Sequence, residues 1–312
     1  MVFSHLIGEK RKNAARECRV ARKKEAEIKR IELAWLLLYR FSRTKICCLT
    51  ETKRDAMKKL ILATAVAASF VASFAHAEDA PKPDNEVTFN AAVVSDYRYR
   101  GISQTRFDPA LQVGADYTNN PTGLYAGTWL TNIKWIKDSV GAGGKGNIEW
   151  DLYAGKRGDI GAGFTYDVGG LYYYYPSNNY ANIAKNANTF ELYGQVGYGP
   201  GYFKYSHALT TLFGTANSKN SQYYDLGANF DTFYGVTLGL HVGHQTVEHN
   251  SPLSYTDWKI GLSKTFDDLA GITLGVAYVG TNAKDGSYIS PASDGAKNLG
   301  KNGVVVSLSK TF

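Results

Sequence analysis

From residue 87 onward the chain alternates apolar and polar side chains with period two, in short runs separated by Gly, Asn, Pro and Asp. In Val87–Val93, Val87, Phe89, Ala91 and Val93 share one face and Thr88, Asn90 and Ala92 the other. In Ile148–Ala154, Ile148, Trp150, Leu152 and Ala154 oppose Glu149, Asp151 and Tyr153. The same rhythm runs through Leu111–Tyr117, Leu124–Leu130, Ile160–Val168, Phe190–Tyr198, Tyr202–Leu209, Tyr224–Phe230, Val236–Val242, Thr256–Lys264, Ile272–Tyr278 and Val304–Phe312. Successive side chains of a strand point to opposite faces, so the pattern predicts twelve strands, each with one apolar side, and no long amphipathic helix.

The connections alternate in length. Tight ones are expected at Asn119–Gly123, Arg157–Asp159, Gly199–Gly201, Asp231–Gly235 and Asp267–Gly271, and long ones at Thr131–Asn147, Pro176–Thr189, Gly214–Gln222, Glu248–Tyr255 and Gly280–Asn302. "WDLYAGKRGDIGAGFTY", "YDLGANFDTFYGVTLGL" and "WKIGLSKTFDDLAGITLGV" each repeat strand, turn, strand. An even number of such strands with short turns on one side and long loops on the other describes a closed antiparallel meander barrel. The expected fold is therefore all-β, a barrel of about 12 strands spanning residues 78–312.

Alternation alone does not separate a soluble barrel from a membrane one, because the two differ in which face is outside. The polar face here is too ionic for a dry core, since it carries Glu149, Asp151, Asp167 and Asp225, and unpaired buried carboxylates cost several kcal/mol. Trp150, Trp258, Tyr166, Tyr198, Tyr224 and Tyr278 lie near strand ends, where a transmembrane barrel keeps its aromatic girdles. The last strand ends on an aromatic, Phe312. These features favour a barrel embedded in lipid, with a soluble periplasmic or secreted β-protein as the competing reading.

Charge and cysteine change the picture only by dividing the chain. Residues 1–77 hold 17 of the 35 Lys and Arg and 7 of the 28 Asp and Glu, so the rest has 18 basic and 21 acidic residues. The basic balance of the whole chain thus belongs to the leader and does not argue for a nucleic-acid partner. "NAARECR" at Asn13–Arg19 resembles the basic region of a bZIP factor, but no leucine heptads follow it. Cys18, Cys47 and Cys48 all precede residue 77, which leaves no disulfide or thiolate metal site in the barrel. Met57 begins a complete secretory signal: Lys58 and Lys59, the apolar run Leu60–Ala72, and the small-x-small site Ala75-His76-Ala77. Cleavage is expected between Ala77 and Glu78, with residues 57–77 the signal peptide and residues 1–56 an upstream extension from a mis-assigned start.

Just after the first strand stands "SDYRYRGISQTRFDPALQVGADY", Ser95–Tyr117. With "EWDLYAGKRG" and the terminal "VSLSKTF" it resembles the TorF-type family of outer-membrane porins, most specifically in "DYRYRGISQT", Asp96–Thr105. The resemblance implies an outer-membrane barrel that forms a pore. It brings no catalytic residues, and it does not extend to residues 1–56. Phe312 also looks like the terminal signal read by the barrel-assembly machinery.

Independently of that resemblance, Asp96, Arg98 and Arg100 continue the polar parity of Thr88 and Asn90 and are expected to point into the lumen, with Tyr97 and Tyr99 toward lipid and Gly101 breaking the strand. Glu149, Asp151, Glu191, Asp225 and Asp257 should face the lumen from other strands, across from the arginine pair. The acidic excess predicts mild cation preference, unless loop lysines such as Lys134, Lys137 and Lys145 fold inward. An Arg–Asp network that only fills the wall is the plainer alternative.

Other chemistry falls away. His241 and His244 have opposite parity and cannot converge on a metal. The run Tyr172–Tyr175 reads as a strand passing through the interface belt more readily than as a sugar slide. Asp138 and Ser139 share a loop without an evident histidine, and phosphate-cradling and dinucleotide motifs are absent. No cofactor and no enzyme activity are expected. The expected function is passive diffusion of small polar or ionic solutes through a barrel in outer-membrane lipid, the alternative being a narrow or plugged barrel acting through its external loops.

Overall fold

The computed structural model describes residues 83–292 and 295–312. The extension, the signal peptide and the Ala77/Glu78 processing site lie outside the described residues. The alternating runs form twelve strands: β1 (Asn85–Val94), β2 (Ala110–Asn119), β3 (Leu124–Asn132), β4 (Ile148–Gly161), β5 (Phe164–Tyr174), β6 (Thr189–Tyr198), β7 (Gly201–Ala208), β8 (Gln222–Asp231), β9 (Val236–Thr246), β10 (Tyr255–Phe266), β11 (Ile272–Thr281) and β12 (Gly303–Thr311). Each pairs antiparallel with its sequence neighbours, and β12 returns to β1, so the sheet closes with no edge. Phe312 extends that seam by exchanging backbone hydrogen bonds with Phe89, at 2.8 and 3.2 Å.

The barrel is inside out relative to a soluble one. Leu226, Leu240, Ile260, Val276 and Leu308 are exposed on the outer surface, while Glu149, Asp151, Glu191 and Asp257 are buried on the inner one. Strands of 8 to 14 residues, tilted as a barrel requires, match the roughly 9–11 residues that cross a hydrocarbon layer. Backbone polar groups are satisfied between strands, which is what lipid demands of any spanning element. The fold is a transmembrane β-barrel. Among the described residues no helix is long and apolar enough to cross a membrane.

Two expectations need correction. The turn after β4 is at Ala162–Gly163 and not at Arg157–Asp159. Gly158 and Asp159 stay in the ladder, opposite Tyr166 and Thr165, and three successive positive φ angles (Gly161 105°, Ala162 51°, Gly163 80°) make the reversal. The alternation of Ile160, Ala162 and Phe164 concealed it. The larger correction concerns the chain after β1. It does not continue as a strand. At Ser95 it leaves the wall, and residues 95–109 fold inward, with a short ladder of Arg98–Tyr99 against Ile102–Ser103. Among the described residues the long connections at the same end carry one short α-helix, α1 (Trp135–Val140), and three 3-10 turns (Tyr180–Asn182, Leu212–Gly214 and Ser251–Leu253).

Candidate functional site

Residues 95–109 turn back on themselves at Arg100 and Gly101, whose φ values are 45° and 78°. Glycine is required at 101: a Cβ there would lie 2.5 Å from Thr281 Cγ2 and 2.8 Å from Asp257 Cβ. The reversal sets the Arg100 guanidinium against the far wall. It donates to both carboxylate oxygens of Glu191 on β6, at 3.0 and 2.7 Å, and to Gln245 Oε1 on β9 at 2.6 Å. The rings of Tyr99 and Tyr223 lie 4.8 and 4.1 Å from its central carbon. Burial is the largest influence and works against its charge, but the Glu191 carboxylate, its hydrogen bond and the neighbouring Tyr99 and Tyr173 together hold Arg100 well above its ordinary value.

The segment is fastened on other sides as well. The Tyr97 hydroxyl donates to Glu149 on β4 at 2.7 Å, and its ring packs edge-on against Trp129. Burial, and then Glu149, push that hydroxyl well above its usual pKa, so it remains a donor. Tyr99 and Tyr173 share a hydroxyl contact of 2.7 Å. Asp96 pairs with Arg98 and accepts from Ser103 Oγ at 2.6 Å, which ties the two arms together. Arg98 also donates to the Lys301 carbonyl at 2.8 Å, and Ser103 N–H donates to the Leu299 carbonyl at 2.9 Å. A span that starts at β1 and grips β4, β5, β6 and β9 crosses the lumen.

Nearer the turns the inner wall carries a second polar set. Tyr153 donates to Asp116 at 2.6 Å, and Tyr125 donates to Asp167 at 2.5 Å. Lys204 Nζ stands 4.1 Å from the Tyr193 ring centre. His241 bridges Asp225 and Asp257 at 2.8 and 2.7 Å, whereas His244 faces outward and meets Thr256, as their parity requires. On β9 to β12 the inward positions at this depth are mostly small (Gly239, Gly261, Ser263, Gly275, Ala277 and Ser307), the charged exceptions being His241 and, opposite it, Lys259.

All eight lumen candidates therefore stand on the inner side, though not as the alternation implied. Arg98 and Arg100 reach the lumen from the folded-in segment, not from the first strand. Arg100 is not across from the acidic set but joined to Glu191. Tyr97 and Tyr99 are inside and not toward lipid, because strand parity stops applying once the chain leaves the ladder. Within the tyrosine run, Tyr173 and Tyr175 are buried inward, while Tyr172 and Tyr174 lie on the other parity.

A family model described as a bacterial protein of unknown function, Gcw_chp, matches residues 78–312. The chain belongs to the Gcw_chp family. A search of curated proteins finds no match. Among solved structures the Gcw_chp chain is similar to the KdgM porin, at 7% identity over 72% of this chain and 97% of that one with a TM-score of 0.43. It is similar to the NanC porin at 8% identity over 72% and 98%, TM-score 0.43, and to the COG4313 outer membrane channel from Pseudomonas putida F1 at 11% over 75% and 99%, TM-score 0.38.

Sequence reading missed several partners in the Gcw_chp lumen, namely Tyr173, Tyr223, Gln245 and Asp116. Their inward parity was legible; what they touch was not, because those contacts cross the lumen and join distant parts of the chain.

Proposed function

We propose that this protein is a porin-like channel of the bacterial outer membrane, in which small polar or ionic solutes pass through the charged lumen and around or beneath the folded-in segment. The observation that carries the reading is the inverted barrel, apolar outside and lined inside with Asp116, Asp167, Lys204, Asp225 and His241 at several depths. The small side chains inside β9 to β12 leave space there, and Asp151 Oδ1 is a buried carboxylate oxygen with no hydrogen-bond partner among the described residues. The Arg100–Glu191 contact is then the narrow point. Cation preference follows from the remaining acidic groups, with Arg98 and Arg100 opposing it.

The resemblance to TorF-type porins and the family match beginning at residue 78 both support a mature barrel that starts at Glu78 after signal cleavage. Phe312, paired with Phe89, supports a role at the assembly step. Single-channel recording in planar bilayers tests the proposal. Discrete steps are expected, with a reversal potential in a salt gradient that moves toward cations when Arg98 and Arg100 are replaced by Ser. No steps from the wild type, from R100S, or from a form lacking residues 97–104 would overturn it. A second reading, a plugged barrel working through its loops, is favoured by the many fastenings of residues 95–109, and that silent result is the one it predicts.

A further inference from the structure

Between the folded-in segment and the long connections lies a cavity of about 230 Å³. At about 30 Å³ per water it holds roughly seven, and it falls below the roughly 300–1,000 Å³ typical of sites for drug-sized ligands. It suits one ring. Two aromatic pairs stand in its wall, each locked edge to face: Trp135 with Tyr180 at 5.1 Å and Tyr255 with Tyr288 at 5.2 Å between ring centres. Phe213 adds a fifth ring from a backbone at φ 45°, a conformation that bulky side chains rarely adopt, and packs edge-on against Tyr99 and Tyr173.

The lining carries no carboxylate, ammonium or guanidinium group. Its polar members are hydroxyls and amides, and several are unused. Tyr255 is only 5% exposed, yet its hydroxyl has no hydrogen bond among the described residues. The Trp135 indole N–H is unpartnered as well, but it is closed off from the cavity and is not among the groups a ligand would reach. Ser139 and Thr215 add hydroxyls that bond to no other described side chain or carbonyl. Buried hydroxyls are normally satisfied by protein or water, and a ligand that displaces that water must bring donors and acceptors of its own, as a set of hydroxyls does. Rigid aromatic faces need something with a C–H face to cover them. A charged ligand would lose its hydration here and find no counter-charge in the lining.

We infer that this cavity is a binding site for a neutral monosaccharide in its six-membered ring form, held between the aromatic pairs and hydrogen-bonded by Tyr255. The inference deepens the channel reading by naming a solute class and rests on it for the idea that the site lies on a permeation route.

Saturation-transfer NMR on the barrel purified from outer membranes tests it, with D-glucose, D-glucuronate and phenol as probes and conductance recorded on the same preparation. Glucose should bind saturably, at least tenfold more tightly than glucuronate and more tightly than phenol. Y255F, which removes one hydroxyl, should weaken glucose roughly three- to tenfold, the worth of a neutral hydrogen bond. T215W, which fills the space, should abolish binding while the heat-dependent gel shift of the folded barrel is kept. Absence of glucose binding, equal binding of glucuronate, tighter binding of phenol, or indifference to both substitutions would each overturn the inference. Conductance without glucose binding removes this inference and leaves the channel; glucose binding without conductance does the reverse.

Discussion

The two ends of the lumen are built by different rules. At the loop end the folded-in segment takes up much of the space: Arg100, Tyr97, Tyr99, Glu149 and Glu191 interlock through direct hydrogen bonds, with the aromatic-walled cavity beside them. At the turn end half the wall is tyrosine and charge, while the other half is mostly glycine, alanine and serine below the His241–Lys259 level. The same strands make both ends, and the same alternation of side chains serves both. What differs is one stretch of 15 residues that leaves the wall. A barrel of intermediate strand number is neither solid nor open by its count; here an inward segment decides the matter locally.

That contrast can be broken most severely at Arg100. In R100S the Glu191 carboxylate stays buried without its partner, and losing one member of a buried pair costs about 3–5 kcal/mol. Urea unfolding of the purified barrel measures it, and E191L added to an R100M change should recover much of the loss. Next in size is the outer surface. L240R puts a charge midway along β9 on the lipid side, with an expected cost of about 2–4 kcal/mol near the midplane. A refolding titration into vesicles should rank it well above any polar change inside the turn end. G101A comes third, at about 1–3 kcal/mol, since the residue must hold a left-handed backbone while its methyl group meets Thr281 and Asp257. Its signature is local: amide exchange should rise in residues 97–104 before the strands respond. The smallest effect is expected for S307A at the turn end, within about 0.5 kcal/mol. A large loss there would mean the sparse end is packed as tightly as the other.

The strands were legible because each obeys one rule along its own length. Once β4, β6, β8 and β10 were drawn from alternation, Glu149, Asp151, Glu191, Asp225 and Asp257 had to face inward. The rule failed where it was carried past its end. Asp96 to Arg100 alternates as well as any strand, but alternation says nothing about when a chain leaves its ladder, and Gly101, expected to break the strand into a turn, makes its reversal inside the lumen. The turn at Ala162–Gly163 was hidden in the same way, by apolar residues that kept the rhythm through it. The Arg100–Glu191 pair joins residues 91 positions apart, and no local pattern reports a contact of that kind.

The seam gives the folded-in segment a place in time. Arg98 is held by the Lys301 carbonyl, 203 residues later, and Ser103 by that of Leu299, both immediately ahead of β12. The segment lies near the first strand and those two carbonyls near the last, so the contacts form only when β12 comes to β1. Until β12 arrives, β1 has no partner on one side and the segment lacks two of its fastenings. Closing the wall and securing its contents are thus coupled through the same seam.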